Sequence, residues 1–143
     1  MSGTIDRIDR DPGMSARGAV WDYKSGKGAR SAVQIENERK LQLPLYILVV
    51  RDLLGIEPVA GLYRALAGER KVRGMAVKGE LDGVIRTDQM EPAEFWAQVD
   101  RAVGYANEIV ARVRGGDVRR DPLGGSCPEW CLRQAGGICR VER

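Results

Sequence analysis

Alternation of apolar and polar positions, and the places where it breaks down, divide this chain into its elements. In GTIDRIDR, Ile5 and Ile8 stand among charges, and after the turn-forming DPGMS the segment GAVWDYK resumes a run of strand formers. Together these predict a hairpin over residues 1–24. A turn centred near Met14 pairs positions whose numbers sum to 28, which puts Asp6 opposite Asp22. Directly opposed residues have Cβ atoms about 5 Å apart, so two carboxylates there repel unless a cation lies between them.

Residues 25–34, SGKGARSAVQ, read as a flexible connection. The following IENERKLQLPLYILVVRDLLG predicts one helix over 35–54 that stops at Gly55. From Leu41 to Val50 it is apolar on nearly every side, the pattern of a helix buried all round. Pro44 falls inside that run, so a lost ladder bond, at about 3 kcal/mol, and a kink near Leu41 are expected. VAGLYRALAG and KVRGMAV have strand character, with 68–70 as the turn between them. Residues 91–114 carry the clearest helical period, with Pro92 in the first turn, Gly115 past the end, and Phe95, Val99, Ala102, Ala106, Ile109 and Val113 as a core stripe.

At 143 residues and 15.8 kDa the chain has the size of one domain with a real core. Its 43% hydrophobic and 30% charged residues exclude a disordered polymer. No run approaches the roughly 18 apolar residues of a membrane span, and the expected location is the cytoplasm. The net charge of +3 is concentrated toward the ends: residues 1–40 carry eight Lys/Arg against six Asp/Glu, and 114–143 six against four. That tilt suits a polyanion gripped at two places, although a solvated surface is the commoner cause.

Side chains two apart on a strand share a face, so Asp22 and Lys24 project together, with Asp6 opposed to them. Two carboxylates and a lysine in one volume fit a hard divalent cation, typically held by one or two carboxylates together with phosphate oxygens and water. Lys24 is then left for the attacking water or the charge developing on phosphate. A lone D-x-K is more often a surface ion pair worth less than about 1 kcal/mol, so its meaning depends on what accompanies it. Gln42 and Tyr46, at i and i+4, share one helix face and need partners if buried. They either cap nearby backbone or orient a catalytic lysine and a phosphate.

Taken in order, GTIDRID, WDYKSG and LQLPLY resemble the PD-(D/E)XK nuclease superfamily, in particular the RecB/AddB-like nuclease domain of helicase-nucleases. The likeness runs from Gly3 to Cys139. It implies an α/β fold, a central mixed β-sheet flanked by helices with a restriction-endonuclease-like core, and a small cysteine-containing C-terminal lobe. It assigns Asp6, Asp22 and the carbonyl of Tyr23 to a Mg²⁺ or Mn²⁺ site. Lys24 becomes the D-x-K lysine, and Gln42 and Tyr46 the Q-x-x-x-Y helix. The reaction implied is metal-dependent hydrolysis of DNA phosphodiester bonds, on single-stranded or unwound ends delivered by a helicase domain or subunit. The alternative is a catalytically silent DNA-binding or scaffold module with the same fold. Asp9 is expected to pair with a nearby Arg.

All three cysteines lie close together, as Cys127, Cys131 and Cys139, in a sequence with no histidine. CPEWCLRQAGGIC resembles the late part of the iron–sulfur staple of AddB-like nucleases, with C-x3-C-x7-C spacing wider than the family's and no early cysteine. A [4Fe–4S] cluster normally takes four thiolates, and zinc here needs carboxylate or water as fourth ligand; three reduced thiols are the remaining reading. The family's helix before the first catalytic strand also has no counterpart, so the chain is expected to be an N-terminally truncated fragment, weakly active by itself. The expected organisation is a nuclease core over 1–116 and a cysteine-containing extension over 117–143. SGKGARS lacks phosphate-loop spacing and reads as a mobile substrate-side loop, with Lys27 and Arg30 as DNA contacts.

Overall fold

The computed structural model describes residues 3–14, 16–26 and 28–117. Two compact units divide the chain, residues 1–107 and 108–143; every element that carries the site lies in the first.

The hairpin forms in the expected register. Strand β1 (Arg7–Arg10) pairs antiparallel with β2 (Arg17–Lys24), from Arg7 opposite Trp21 to Arg10 opposite Gly18. Asp11 builds the turn: its Oδ1 accepts from the backbone N–H groups of Gly13 at 2.8 Å and Met14 at 3.2 Å, an Asx-type turn that the DPG sequence favours. One position before β1, outside the ladder, the Asp6 carboxylate accepts the Tyr23 backbone N–H at 2.8 Å.

Between β2 and its parallel neighbour β3 (Glu57–Ala65) the chain makes a helical crossover, as a parallel pair requires. Here the structure corrects the single kinked helix. Two helices form, α1 (Ala32–Asn37) and α2 (Gln42–Leu54). Ser31 and Gln34 close a capping box at the start of α1. At its end Arg39 takes the left-handed conformation, φ 48°, and the N–H groups of Arg39 and Lys40 donate to Glu36 and Ile35 carbonyls, a Schellman stop. Pro44 therefore lies in the first turn of α2, where backbone N–H groups have no intrahelical partner. The expected loss of a ladder bond does not occur.

α2 is also not buried all round. Leu43, Pro44, Ile47 and Val50 are buried against the sheet, whereas Val49, Leu53 and Leu54 are exposed. Gly55 ends the helix in the left-handed region, as the sequence requires. The helix crosses β3 at Gly61, where a Cβ would come within 2.8 Å of Ile47 Cδ1.

β4 (Val72–Val77) pairs antiparallel with β3, and the short β5 (Gln89–Met90) adds parallel to β4. The order β1-β2-β3-β4-β5 makes a five-stranded mixed sheet with flanking helices, the restriction-endonuclease-like α/β arrangement. On one face Ile47, Met75, Phe95 and Val99 join α2, β4 and α3 (Pro92–Arg114), and Gln98 Nε2 donates to Ala32 C=O at 2.8 Å. On the other, Leu81 and Ile85 of the β4–β5 connection cover Trp21, Ala60 and Leu62. The α3 stripe is core only in its first half: Phe95, Val99 and Ala102 are buried, but Ile109 and Val113 are exposed.

Gly74 and Gly104 should respond to alanine with opposite signs. Gly74 has φ 149°, and a Cβ there would lie 2.2 Å from Gly61 O across the β3–β4 pair. Gly74→Ala is expected to cost about 3 kcal/mol or more in urea denaturation. Gly104, exposed within α3 with nothing within 4 Å of its Cβ position, should gain about 0.5–1 kcal/mol on the same change.

Candidate active site

Asp22 and Lys24 occupy the C-terminal end of β2 on the face turned toward α2. Asp22 is 3% exposed, and a carboxylate deprived of water needs compensation. Gln42, the first residue of α2, supplies part of it. Its Nε2 donates to Asp22 Oδ1 at 2.7 Å, while its Oε1 accepts from Lys24 Nζ at 2.8 Å. Lys24 Nζ also stands 2.6 Å from Asp22 Oδ2. That oxygen makes no well-aligned hydrogen bond and is shut off from solvent, so the ammonium compensates it chiefly as a charge.

Asp6 reaches the same strand from the other side. Its Oδ2 accepts the Tyr23 N–H at 2.8 Å. Because Leu66 N–H donates to Lys24 C=O, the even-numbered end of β2 exchanges its backbone bonds with β3, and Tyr23 directs its N–H and C=O toward the β1 side. The Asp22 carboxylate, a second carboxylate at Asp6 and the Tyr23 carbonyl are hard oxygen donors of the kind Mg²⁺ takes with its remaining positions hydrated. The residues thus fit a divalent cation, although among the described residues no group of three or more acidic, His or Cys side chains gathers at one point.

Tyr46 is joined to this cluster only through Gln42, by a long 3.4 Å contact to its hydroxyl, and its ring packs with the apolar group of Val20, Val50 and Ile56. Arg30 Nε bonds Glu38 Oε2 at 3.0 Å, and Lys40 approaches the same oxygen at 3.5 Å. The Arg30 hydrogen bond foremost holds the Glu38 carboxyl below its ordinary value. Asp9 takes a bidentate contact from Arg7, at 2.5 and 3.0 Å, as expected. Lys27, Cys127, Cys131 and Cys139 lie outside the described residues.

Beside Lys24 a cavity of about 310 Å³ opens, with Gln42, Tyr63, Gly28, Arg30 and Lys40 in its wall. Sequence reasoning missed Tyr63 and Lys40. Tyr63 sits beside Asp22 in the β2–β3 register, is 3% exposed, and presents its ring to Lys24 Nζ at 4.9 Å. Burial first, and then the Asp22 carboxylate, push its phenol up from 10.0 to about 12. A sequence signal existed in the one aromatic of the apolar run VAGLY, but only the parallel register brings that residue beside Asp22.

A sequence model of the PD-(D/E)XK nuclease superfamily matches residues 1–140. No curated protein and no solved structure matches the chain.

Gln42→Leu strands the buried Asp22 Oδ1 and is expected to cost about 1–3 kcal/mol in urea denaturation, whereas Tyr46→Phe, losing only a long contact, should stay within about 0.5 kcal/mol. The Tyr63 phenol ionises near 10 when unfolded and near 12 when folded. Its share of stability is therefore complete below pH 10 and falls as pH rises from there toward 12. Comparing urea midpoints at pH 9 and 11 should show a smaller drop in Tyr63→Phe than in the parent; equal drops would contradict the assignment.

Proposed function

From the premise that the chain belongs to the PD-(D/E)XK nuclease superfamily, we propose that it hydrolyses DNA phosphodiester bonds at the end of β2. The observation that carries this reading is the buried Asp22 carboxylate at the end of β2, held by the Gln42 amide and the Lys24 ammonium, with Asp6 bonded to the backbone of the intervening Tyr23. Nucleases of this superfamily generally use divalent metals such as Mg²⁺. Asp6, Asp22 and the Tyr23 carbonyl are the residues that would hold one. When bound, such an ion supplies Lewis-acid polarisation of the phosphate and a more acidic water.

The chain's own residues do the rest. Lys24 Nζ carries its positive charge in a fixed position, between the Gln42 amide oxygen and the Tyr63 ring, where it stabilises negative charge developing on the phosphoryl oxygens. A preoriented charge of this kind needs no reorganisation as the reaction proceeds. Gln42 is a positioning residue that sets both Asp22 and Lys24. The cations Arg30 and Lys40 in the adjoining cavity draw the phosphate backbone toward them.

The finer reading is a RecB/AddB-like domain that receives unwound DNA from a helicase. In it, residues 1–116 form the catalytic core and an extension over 117–143 offers Cys127, Cys131 and Cys139 to a cluster completed by a ligand from elsewhere. The support for it lies in the order of the GTIDRID, WDYKSG and LQLPLY segments and in the cysteine run. Among the described residues no helix is long and apolar enough to cross a membrane.

End-labelled single- and double-stranded DNA, incubated with Mn²⁺ or Mg²⁺ and with chelator, tests the activity. Cleavage should require metal, and Asp22→Asn or Lys24→Ala should lower it at least about 100-fold; a preference for the single strand supports the helicase-fed reading. A chain that binds DNA but cleaves no faster than its Lys24→Ala variant is the silent module instead.

A further inference from the structure

The cavity beside Lys24 contains a feature that holding a metal does not explain. Tyr63 is 3% exposed, and its ring is packed with Ile35 and Leu43. Its hydroxyl nevertheless makes no hydrogen bond among the described residues and is not enclosed as a fully buried orphan. A buried phenol ordinarily finds a partner for its O–H. Tyr63 lines the cavity, so the missing partner belongs there.

The other polar groups of the wall are almost all donors. Lys24, Arg30 and Lys40 are cations, and among the described residues no carboxylate lines this space, since Glu38 holds Arg30 and Lys40 from outside it. A cavity of about 310 Å³, near the lower end of the roughly 300–1,000 Å³ common for ligand sites, thus presents three cations, the Gln42 amide and a neutral hydroxyl as its polar lining among the described residues. The complementary occupant is an anion with several acceptor oxygens. Gly28 packs against the Lys24 stem, its Cβ position 3.6 Å from Lys24 Cβ, and so lets the backbone approach without narrowing the opening.

We infer that this cavity is a subsite for a second phosphate of the substrate strand, next to the one that is cut, and that Tyr63 Oη is its neutral hydrogen-bond donor while Arg30 and Lys40 supply charge. The inference rests on the nuclease reading above and gives it a direction: the strand runs from the Asp6–Asp22 side, past Lys24, into the cavity. Tyr63 is a substrate-binding residue in this scheme, and its ring face separately steadies the Lys24 ammonium.

Binding without turnover tests it. Fluorescence anisotropy of a short labelled single-stranded oligonucleotide in Ca²⁺ would be measured across a salt series for the full chain and for Tyr63→Phe, Lys40→Ala and Asp22→Asn. Tyr63→Phe keeps the ring and should weaken binding about 10-fold, the worth of one hydrogen bond to a charged group, with an unchanged salt slope because no charge is lost. Lys40→Ala should weaken binding and reduce the slope by about 0.7. Far-UV circular dichroism checks that each variant is folded, and inorganic phosphate should compete more weakly against Tyr63→Phe than against the parent. If the parent binds and Tyr63→Phe binds equally well, the subsite is wrong and the nuclease reading stands. If the parent itself binds no oligonucleotide, the nuclease reading fails and takes the subsite with it.

Discussion

The Gln42 amide is the joint on which this molecule turns. One end donates to a carboxylate that folding has stripped of water, and the other accepts from the ammonium beside it. A buried ion pair is costly unless its remaining hydrogen-bonding capacity is met, and here a neutral amide 18 residues along the chain from Lys24 meets it. The same contact fastens the N-terminal end of α2 to the end of β2. Because a helix N-terminus carries partial positive charge, a carboxylate is favoured there, so local electrostatics and the tertiary bond act in one direction.

That joint demands a particular approach of helix to sheet. Gly61 lets α2 cross β3 closely, with Ile47 and Leu43 over it. The Schellman stop at Arg39 and the short link before Leu41 turn the chain so that α2 starts at the strand's end. The β2–β3 register then sets Tyr63 beside Asp22, which completes a wall in which one aromatic serves both the lysine and the cavity. Structural and chemical requirements overlap in these few residues. Asp22 is at once the least exposed acid of the site and the group that Gln42 and Lys24 together compensate.

The electrostatics divide the site into two regions. On the β1 side, the Asp6 carboxylate lies against the Tyr23 backbone. On the other, Arg30 and Lys40 gather positive charge while Glu38 restrains them. A polyanion that also requires a cation is suited to such a division, since each half supplies what the other would repel. Lys24 stands at the boundary and is held from both sides.

Much of this was legible in residue order. The period of two in GAVWDYK, with the DPG turn, was enough to read the hairpin register from Arg7 opposite Trp21 onward, because side-chain facing in a strand is a local property. Gly55 and Pro92 marked helix ends for the same local reason. What sequence reasoning mistook was decided at a distance or by a small competing signal: the Ser31–Gln34 capping box and the left-handed Arg39 split one expected helix into two and turned Pro44 from a break into a first-turn residue. The exposure of Val49, Leu53 and Leu54 depends on which side of α2 the sheet covers, and apolar composition cannot say that. Tyr63 and Lys40 entered the site only through parallel pairing and the crossover, since contacts between segments so far apart along the chain arise from packing and have no period to announce them.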